Sequence, residues 1–303
     1  MSVAVKPKAA AICVVRDSAD IILLACAHYL RLGVERLVII DDSSSDGTFE
    51  RVQLLAERGR GRIVIRRVVG DDFLQPDLFN TTINELIAEG FRLIVPFDAD
   101  EFWDIPADAF DRLRMRQEPR IIVAEWVSFV QRRDRAYPTP LGLLSAQYRA
   151  DARPDVMDGV RNFTSSFVHL KERKIAIWAD EPINIMIGQH GLIQGPAAVD
   201  PQTFDMFHLP LRYRSEITKR ALNYEPRRAR LRANEIENWQ SAFHRRIVLD
   251  NKVDAVWAAN SVDGNGELNL YGRSIALTRD RRLRDTLLRA AWYLFRKYRL
   301  LPF

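Results

Sequence analysis

Short apolar runs alternate with longer segments of helical period over the first hundred residues. Ala10–Val15 is the first apolar run. A helical pattern from about Ser18 to Leu32 follows and stops at Gly33. Arg36–Ile40 reads as a second strand that ends in Asp41-Asp42, and Ser45 or Asp46 is placed to cap the next helix. Arg62–Val69 is a third strand, Asp77–Ala88 a helix closed by Gly90, and Leu93–Phe97 a fourth strand running into Asp-Ala-Asp-Glu-Phe-Trp. Period-2 runs alternating with period-3.6 runs predict βαβ units on a mostly parallel sheet, an α/β fold.

Beyond that point the pattern predicts a helix near Ala107–Met115 and a strand at Arg120–Phe129. Residues 130–160 read mostly as loop, with Pro138, Pro140 and Pro154 among charges. Strand-like pieces return at Ser165–Leu170, Lys174–Trp178 and Ile183–Ile187. From Tyr213 onward the pattern is helical, broken once at Asp263-Gly264-Asn265-Gly266. This divides the chain into a βα unit over 1–211 and a helical region over 212–303.

Charge sharpens that division. Residues 1–211 carry 25 Lys/Arg against 30 Asp/Glu, and residues 212–303 carry 20 against 10. A basic C-terminal region fits contact with an anionic surface, and fits equally an Arg-rich solvated helix. Within it, Arg281–Arg299 places Leu283, Leu287, Ala290, Leu294 and Tyr298 at helical spacing among seven basic residues and one acid. Such a helix either packs on the domain or lies at a membrane surface. Two cysteines, Cys13 and Cys26, make no disulfide framework or zinc spacing. Lys6, Pro7 and Lys8 interrupt any signal-like run, and no stretch reaches the roughly 20 apolar residues of a membrane span. The expected location is cytoplasmic, with peripheral contact at the inner face of the membrane through 281–303. Basic residues are not interleaved with aromatic ones as a nucleic-acid platform would require.

Ligands of open α/β sheets bind beyond the carboxyl ends of the strands. Here those ends carry Asp17, Asp41, Asp42, Asp98 and Asp100, with Asp71 and Asp72 soon after the third strand. So many carboxylates on one edge repel one another unless a cation, ribose hydroxyls or a base N–H offsets the charge. On an extended chain Asp98 and Asp100 would point to the same side, roughly 6–7 Å apart, and converge on one hard cation. A cation that also touched a diphosphate would assist its departure.

These segments, VVRDSADIILLACAHYLRLGVERLVIIDDSSSDGT at 14–48 and LIVPFDADEFW at 93–103, resemble the family 2 glycosyltransferases, above all the relatives bearing Asp-x-Asp-Glu-Phe. The resemblance covers roughly residues 10–105. It implies a GT-A fold and an inverting transfer from a nucleotide-sugar donor, a UDP-sugar, to a glycan or lipid-linked acceptor in polysaccharide biosynthesis, with Mn2+ or Mg2+ as cofactor. By position it implies Arg16 and Asp17 at the donor base, Asp41 or Asp42 at the uracil or ribose, and Asp98 and Asp100 at the metal and diphosphate. The first turn reads Arg16-Asp17-Ser18 where the family has Asn-Glu. His28-Tyr29 is expected to pack the helix on the sheet. Members of this fold often complete the metal shell with a later histidine, for which His190 is the candidate and His208 the rival. Lys171 and Lys174 could approach the diphosphate. A general base is required to deprotonate the acceptor hydroxyl. Asp180 is favoured, with Glu101, Asp155 and Asp158 as alternatives. A sugar nucleotidyltransferase is the nearest enzymatic rival, although the first turn lacks its phosphate-binding glycines. A non-catalytic module binding a membrane or polyanion is the other.

Overall fold

Residues 6–68, 75–139, 141–150, 173–228, 239–270 and 273–302 are described by a computed structural model of the chain. The candidate residues Asp71, Asp72, Asp155, Asp158 and Lys171 lie outside them.

The first βα units form as the apolar pattern requires. Strand β1 (Lys8–Val15) is followed by helix α1 (Ile22–Leu32), of which ten residues are buried and only Arg31 is exposed. A helix apolar nearly all round must be covered on most sides. It ends at Gly33, whose φ of 104° lies in the left-handed region and whose N–H donates to the Leu30 carbonyl. Strand β2 (Arg36–Asp42), helix α2 (Thr48–Arg58), strand β3 (Ile63–Val68), helix α3 (Gln75–Ala88) and strand β4 (Phe91–Pro96) follow, then the short β5 (Glu101–Asp104), α4 (Ala107–Arg114) and the long β6 (Arg120–Arg132). Strands β7 (Tyr148–Ala150), β8 (Arg173–Trp178), β9 (Asn184–Ile185), β10 (Leu192–Gln194) and β11 (Val199–His208) come next. The remaining elements are α5 (Ser215–Arg228), α6 (Trp239–Leu249), α7 (Val253–Ala259), β12 (Ser261–Val262), β13 (Leu268–Leu270), β14 (Arg273–Ile275), β15 (Leu277–Arg279) and α8 (Arg282–Tyr298).

The chain folds as two compact units. The first holds Met1–Trp126, Glu172–Phe207 and Thr286–Phe303; the second holds Val127–Lys171 and His208–Asp285. The boundary expected at 211/212 from charge is therefore not the structural one, since α8 from Thr286 belongs with the βα unit.

In the first unit the strands run in the order β6-β8-β4-β1-β2-β3. Strands β4, β1, β2 and β3 are parallel, with Val15 opposite Asp41 and Ile12 opposite Pro96. Strand β8 is antiparallel to both β4 and β6. One face of the sheet, through Ile12, Val14, Val38 and Ile40, packs on Phe79, Ile83, Leu86 and Ile87 of α3. Truncating Phe79, 1% exposed, would cost about 3–5 kcal/mol in lost burial and cavity.

In the second unit Val130, Ala259, Val262, Leu268 and Ile275 form one apolar cluster, and Leu211, Ile217, Ile247, Val256 and Trp257 another. This unit departs from the uniformly helical reading: β12–β15 are short strands, and β15 and β7 pair antiparallel. Strand β11 is likewise unexpected, because Asp200, Pro201, Gln202 and Asp205 interrupt its apolar pattern. Among the described residues no helix is long and apolar enough to cross a membrane.

Candidate active site

Parallel pairing brings the carboxyl ends of β1, β2 and β4 side by side, as the acidic strand ends suggested. The Phe97 N–H donates to the Ile12 carbonyl at 3.0 Å, so the chain leaves β4 beside β1 before it reaches Asp98.

Asp98-Ala99-Asp100-Glu101 is a turn, not the extended segment anticipated. The Glu101 N–H donates to the Asp98 carbonyl at 3.0 Å, and the Asp98 N–H donates to Glu101 Oε2 at 3.1 Å. The two aspartates are half-buried at the rim, whereas Glu101 has no exposed surface. Glu101 Oε1 accepts from Trp126 Nε1 at 3.1 Å and lies 3.1 Å from Lys174 Nζ. Burial pushes the Glu101 carboxyl up to about 8, against the opposing pull of Lys174. As a base for an acceptor hydroxyl Glu101 is therefore misplaced, because every oxygen points inward; its role is to hold the turn.

Lys174, considered from sequence as a contact for the diphosphate, has a different place. It lies near the start of β8 with its side chain 2% exposed, and its ammonium donates to Asp98 Oδ2 at 2.7 Å and Gln189 Oε1 at 3.1 Å. Burial alone would lower its affinity for a proton, but the Asp98 and Glu101 carboxylates more than offset that and hold it charged. It is too enclosed to reach out to a diphosphate. From Lys174 to Trp178 the strand is buried on both faces, so no alternation along it marks the lysine as buried.

Behind the turn, Tyr29 donates its hydroxyl to the Glu101 carbonyl at 3.0 Å and stacks on Phe97 at 3.8 Å between centroids. His28 Nε2 lies 2.9 Å from the Trp103 carbonyl, and burial pushes its imidazole down to about 3, so it is neutral. The pair packs α1 on the sheet, as expected. Burial, followed by the nearby Asp98 charge, raises the Cys13 thiol well above its usual range, which leaves it inert.

At the β1 and β2 ends most polar groups are spent on one another. Asp17, left-handed at φ 49°, accepts the Ser45 N–H on Oδ1 at 2.7 Å, and its own N–H donates to Ser44 Oγ at 2.8 Å. Asp46 receives the N–H groups of Thr48 and Ala19, both at 3.1 Å, and so ties the start of α2 to the first turn. Asp41 accepts the Ser44 N–H on Oδ2 at 3.1 Å, yet its Oδ1 is buried with no partner. Arg16 presents the complement: Nε and Nη1 are buried without a hydrogen-bond acceptor, and the nearest carboxylate oxygen, on Asp17, is 3.9 Å away. Asp42 is buried beside them. A native fold rarely leaves both a buried donor and a buried acceptor unmet. Asp17 thus anchors the loop, while Arg16 and Asp41 hold the unused valences.

His190 follows a short turn on which Gly188 and Gln189 are both left-handed, with φ of 75° and 58°. A Cβ on Gly188 would stand 2.5 Å from His190 Nε2, so glycine makes room for the ring. His190 Nδ1 lies 2.7 Å from the Arg173 carbonyl, and its ring meets Trp126 edge-on at 6.1 Å. It therefore sits on the Trp126 side of the cluster. Its rival His208 is buried at the end of β11, in the second unit. Among the described residues no three His, Cys, Asp or Glu side chains converge as a metal cage. Asp98 and Asp100 remain as carboxylate donors, one oxygen of Asp98 being held by Lys174. That set suits Mg2+, which keeps several waters and binds through one or two carboxylates plus substrate phosphates.

Asp180 is excluded from this edge by the direction of β8. Trp178 pairs with Leu93 and the Ala179 N–H donates to the Arg92 carbonyl, so Asp180 follows at the amino end of β4. Asp98 lies past the opposite end. At about 3.3 Å per residue the two are on the order of 20 Å apart.

No family model matches the chain, and no curated protein matches it. Among solved structures it is similar to residues 1–349 of S. aureus TarS in complex with UDP, with 11% identity over 80% of this chain and 72% of that one and a TM-score of 0.35. A second structure of TarS 1–349 gives 12% identity, 96% and 89% coverage and a TM-score of 0.33. Likeness at that level leaves the site to be judged on this chain's own residues.

Proposed function

We propose that the protein is a GT-A glycosyltransferase that moves a sugar from a nucleoside-diphosphate sugar, a UDP-sugar, to a hydroxyl of a glycan or lipid-linked acceptor with inversion. The observation that carries this reading is the unmet pair at the ends of β1 and β2, the Arg16 guanidinium and Asp41 Oδ1, on the edge that also carries Asp98 and Asp100. A nucleobase offering one N–H and one carbonyl satisfies such a pair. Uracil does so with N3–H toward Asp41 and a ring carbonyl toward Arg16. Asp98 and Asp100 would hold Mn2+ or Mg2+. Such an ion supplies charge neutralisation to a leaving diphosphate.

The protein's own contribution is to keep the site from rearranging. Lys174 fixes one oxygen of Asp98, Glu101 closes the turn, and Trp126 bridges the cluster toward His190. Fixed dipoles and charges of this kind need no reorganisation as charge develops. With Asp180 at the far end of β4, Asp155 and Asp158 are the downstream carboxylates to test as the base.

Titration calorimetry with UDP, GDP and CDP, with and without Mn2+, tests the reading on wild type and Asp100→Ala. Metal-dependent binding of UDP that the variant loses is the expected result. If no nucleotide binds with metal present, the transferase reading falls and the non-catalytic module stands.

A further inference from the structure

The outer face of α8 has no part in the site above. Its inner face is settled: Leu287, Ala290 and Leu294 are fully buried, and Arg58 of α2 donates to the Tyr298 and Arg299 carbonyls at 2.8 and 2.9 Å. The outer face carries Leu288 at 40%, Trp292 at 60% and Phe295 at 42% exposure, with Leu301 at 67% beyond the helix end. Trp292 and Phe295 stack at 6.0 Å, with the Arg296 guanidinium 5.8 Å from the Trp292 ring and Arg299 6.0 Å from Phe295. An apolar strip bordered by arginine is the composition that settles at a headgroup boundary.

Beside this strip lies a cleft of about 430 Å³ lined by Arg31, Arg289, Trp292, Tyr293, Arg296 and Lys297, with no acidic residue in its wall. Arg31 is exposed there; partial burial, then the neighbouring Arg289, weakens its hold on a proton, and Asp104 opposes this. Among the described residues none of the four cations has a carboxylate within ion-pair distance. Arg31 in the last turn of α1 and Arg296 and Lys297 in the last turn of α8 complement their helix dipoles, but that accounts neither for Arg289 nor for the meeting of all four around one cleft. Four cations around one concavity call for an anion, and the aromatic strip next to it calls for an apolar boundary.

We propose that this cleft and the outer face of α8 together dock the protein on an anionic phospholipid bilayer. A headgroup phosphate sits among Arg31, Arg289, Arg296 and Lys297, while Leu288, Trp292 and Phe295 enter the headgroup–acyl boundary. The surface is separate from the nucleotide edge, so the inference stands whether or not the transferase reading does.

Vesicle co-sedimentation of the whole protein tests it, with phosphatidylcholine alone and with 30% phosphatidylglycerol, at low and high salt. Binding is expected only to the anionic vesicles and to weaken with salt. The triple variant Arg289→Gln, Arg296→Gln, Lys297→Gln is expected to lose on the order of a hundredfold in partitioning, because each cation near such a surface contributes about fivefold. Trp292→Ala with Phe295→Ala should lower binding to anionic vesicles with the charges intact, and circular dichroism identifies either variant that fails to fold. Equal binding to both vesicle types overturns the proposal. So does full competition by millimolar glycerol phosphate, which would make the cleft a site for a free phosphate. A folded aromatic variant that binds as wild type overturns it as well.

Discussion

The Lys174 ammonium stands 2.7 Å from Asp98 Oδ2 and 3.1 Å from Glu101 Oε1, joining the rim of the acidic edge to a carboxylate that solvent does not reach. Removing one partner of a buried pair leaves the other charge uncompensated, which typically costs 3–5 kcal/mol. Above pH 8, where the Glu101 carboxyl is ionised, Lys174→Met should therefore destabilise the chain by about 3 kcal/mol or more. Glu101→Gln in the same background should restore part of that, because the orphaned buried charge is then gone. Urea unfolding of wild type, both single variants and the double variant measures the coupling. Additive single effects would show that the two side chains do not interact.

The same cluster sets a pH dependence. The Glu101 carboxyl is raised in the folded chain to about 8 from its ordinary 4.5, with burial the largest cause. A raised acid binds its proton more tightly when folded. Its stabilising contribution is complete below pH 4.5, declines as pH rises from there, and is gone above about 8. The unfolding free energy of wild type minus that of Glu101→Gln should thus fall between pH 5 and 8 and flatten above. A flat difference across that window would mean that Lys174 and the N–H donors of Asp98 and Trp126 keep Glu101 ionised throughout.

Arg16 and Asp41 make a prediction on binding. Asp41→Asn keeps an oxygen for the Ser44 N–H but removes the charge from the unmet side. Hydrogen bonds to charged groups contribute about 1.5–3 kcal/mol, so UDP affinity should fall roughly 10- to 150-fold, while urea unfolding reads separately the loss of the ion pair with Arg67 Nε at 3.5 Å. Arg16→Gln should fall by a similar factor. Calorimetry on the two variants checks this, and unchanged affinity in both would remove the nucleobase from this position.

How far the sequence revealed this site follows from which interactions are local. The apolar periods of β1 to β4 and the acidic residues at their ends are local features, and they placed Arg16, Asp41 and Asp98 on one edge. Residues 98–101 look extended by sequence, yet a side chain three positions on, Glu101, closes them into a turn. Lys174 and Glu101 meet only because β8 lies antiparallel to β4, and nothing in an apolar run states its direction. Asp180 is misplaced by sequence for the same reason: in a parallel strand it would have followed at the ligand edge.

Reversed direction gives Asp180 a direct test. It is exposed, it follows Ala179, whose N–H bonds Arg92 at the start of β4, and it lies on the order of 20 Å from Asp98. Surface substitutions away from caps, cores and networks usually stay within ±0.5 kcal/mol. Asp180→Asn should therefore leave stability, metal-dependent UDP binding and any hydrolysis of a UDP-sugar within about twofold of wild type. Asp98→Asn, assayed beside it, should lose metal dependence, because it removes a rim carboxylate while keeping an acceptor for Lys174. A hundredfold loss of turnover in Asp180→Asn with nucleotide binding intact would return it to the reaction, and would require the acceptor to reach the amino end of β4.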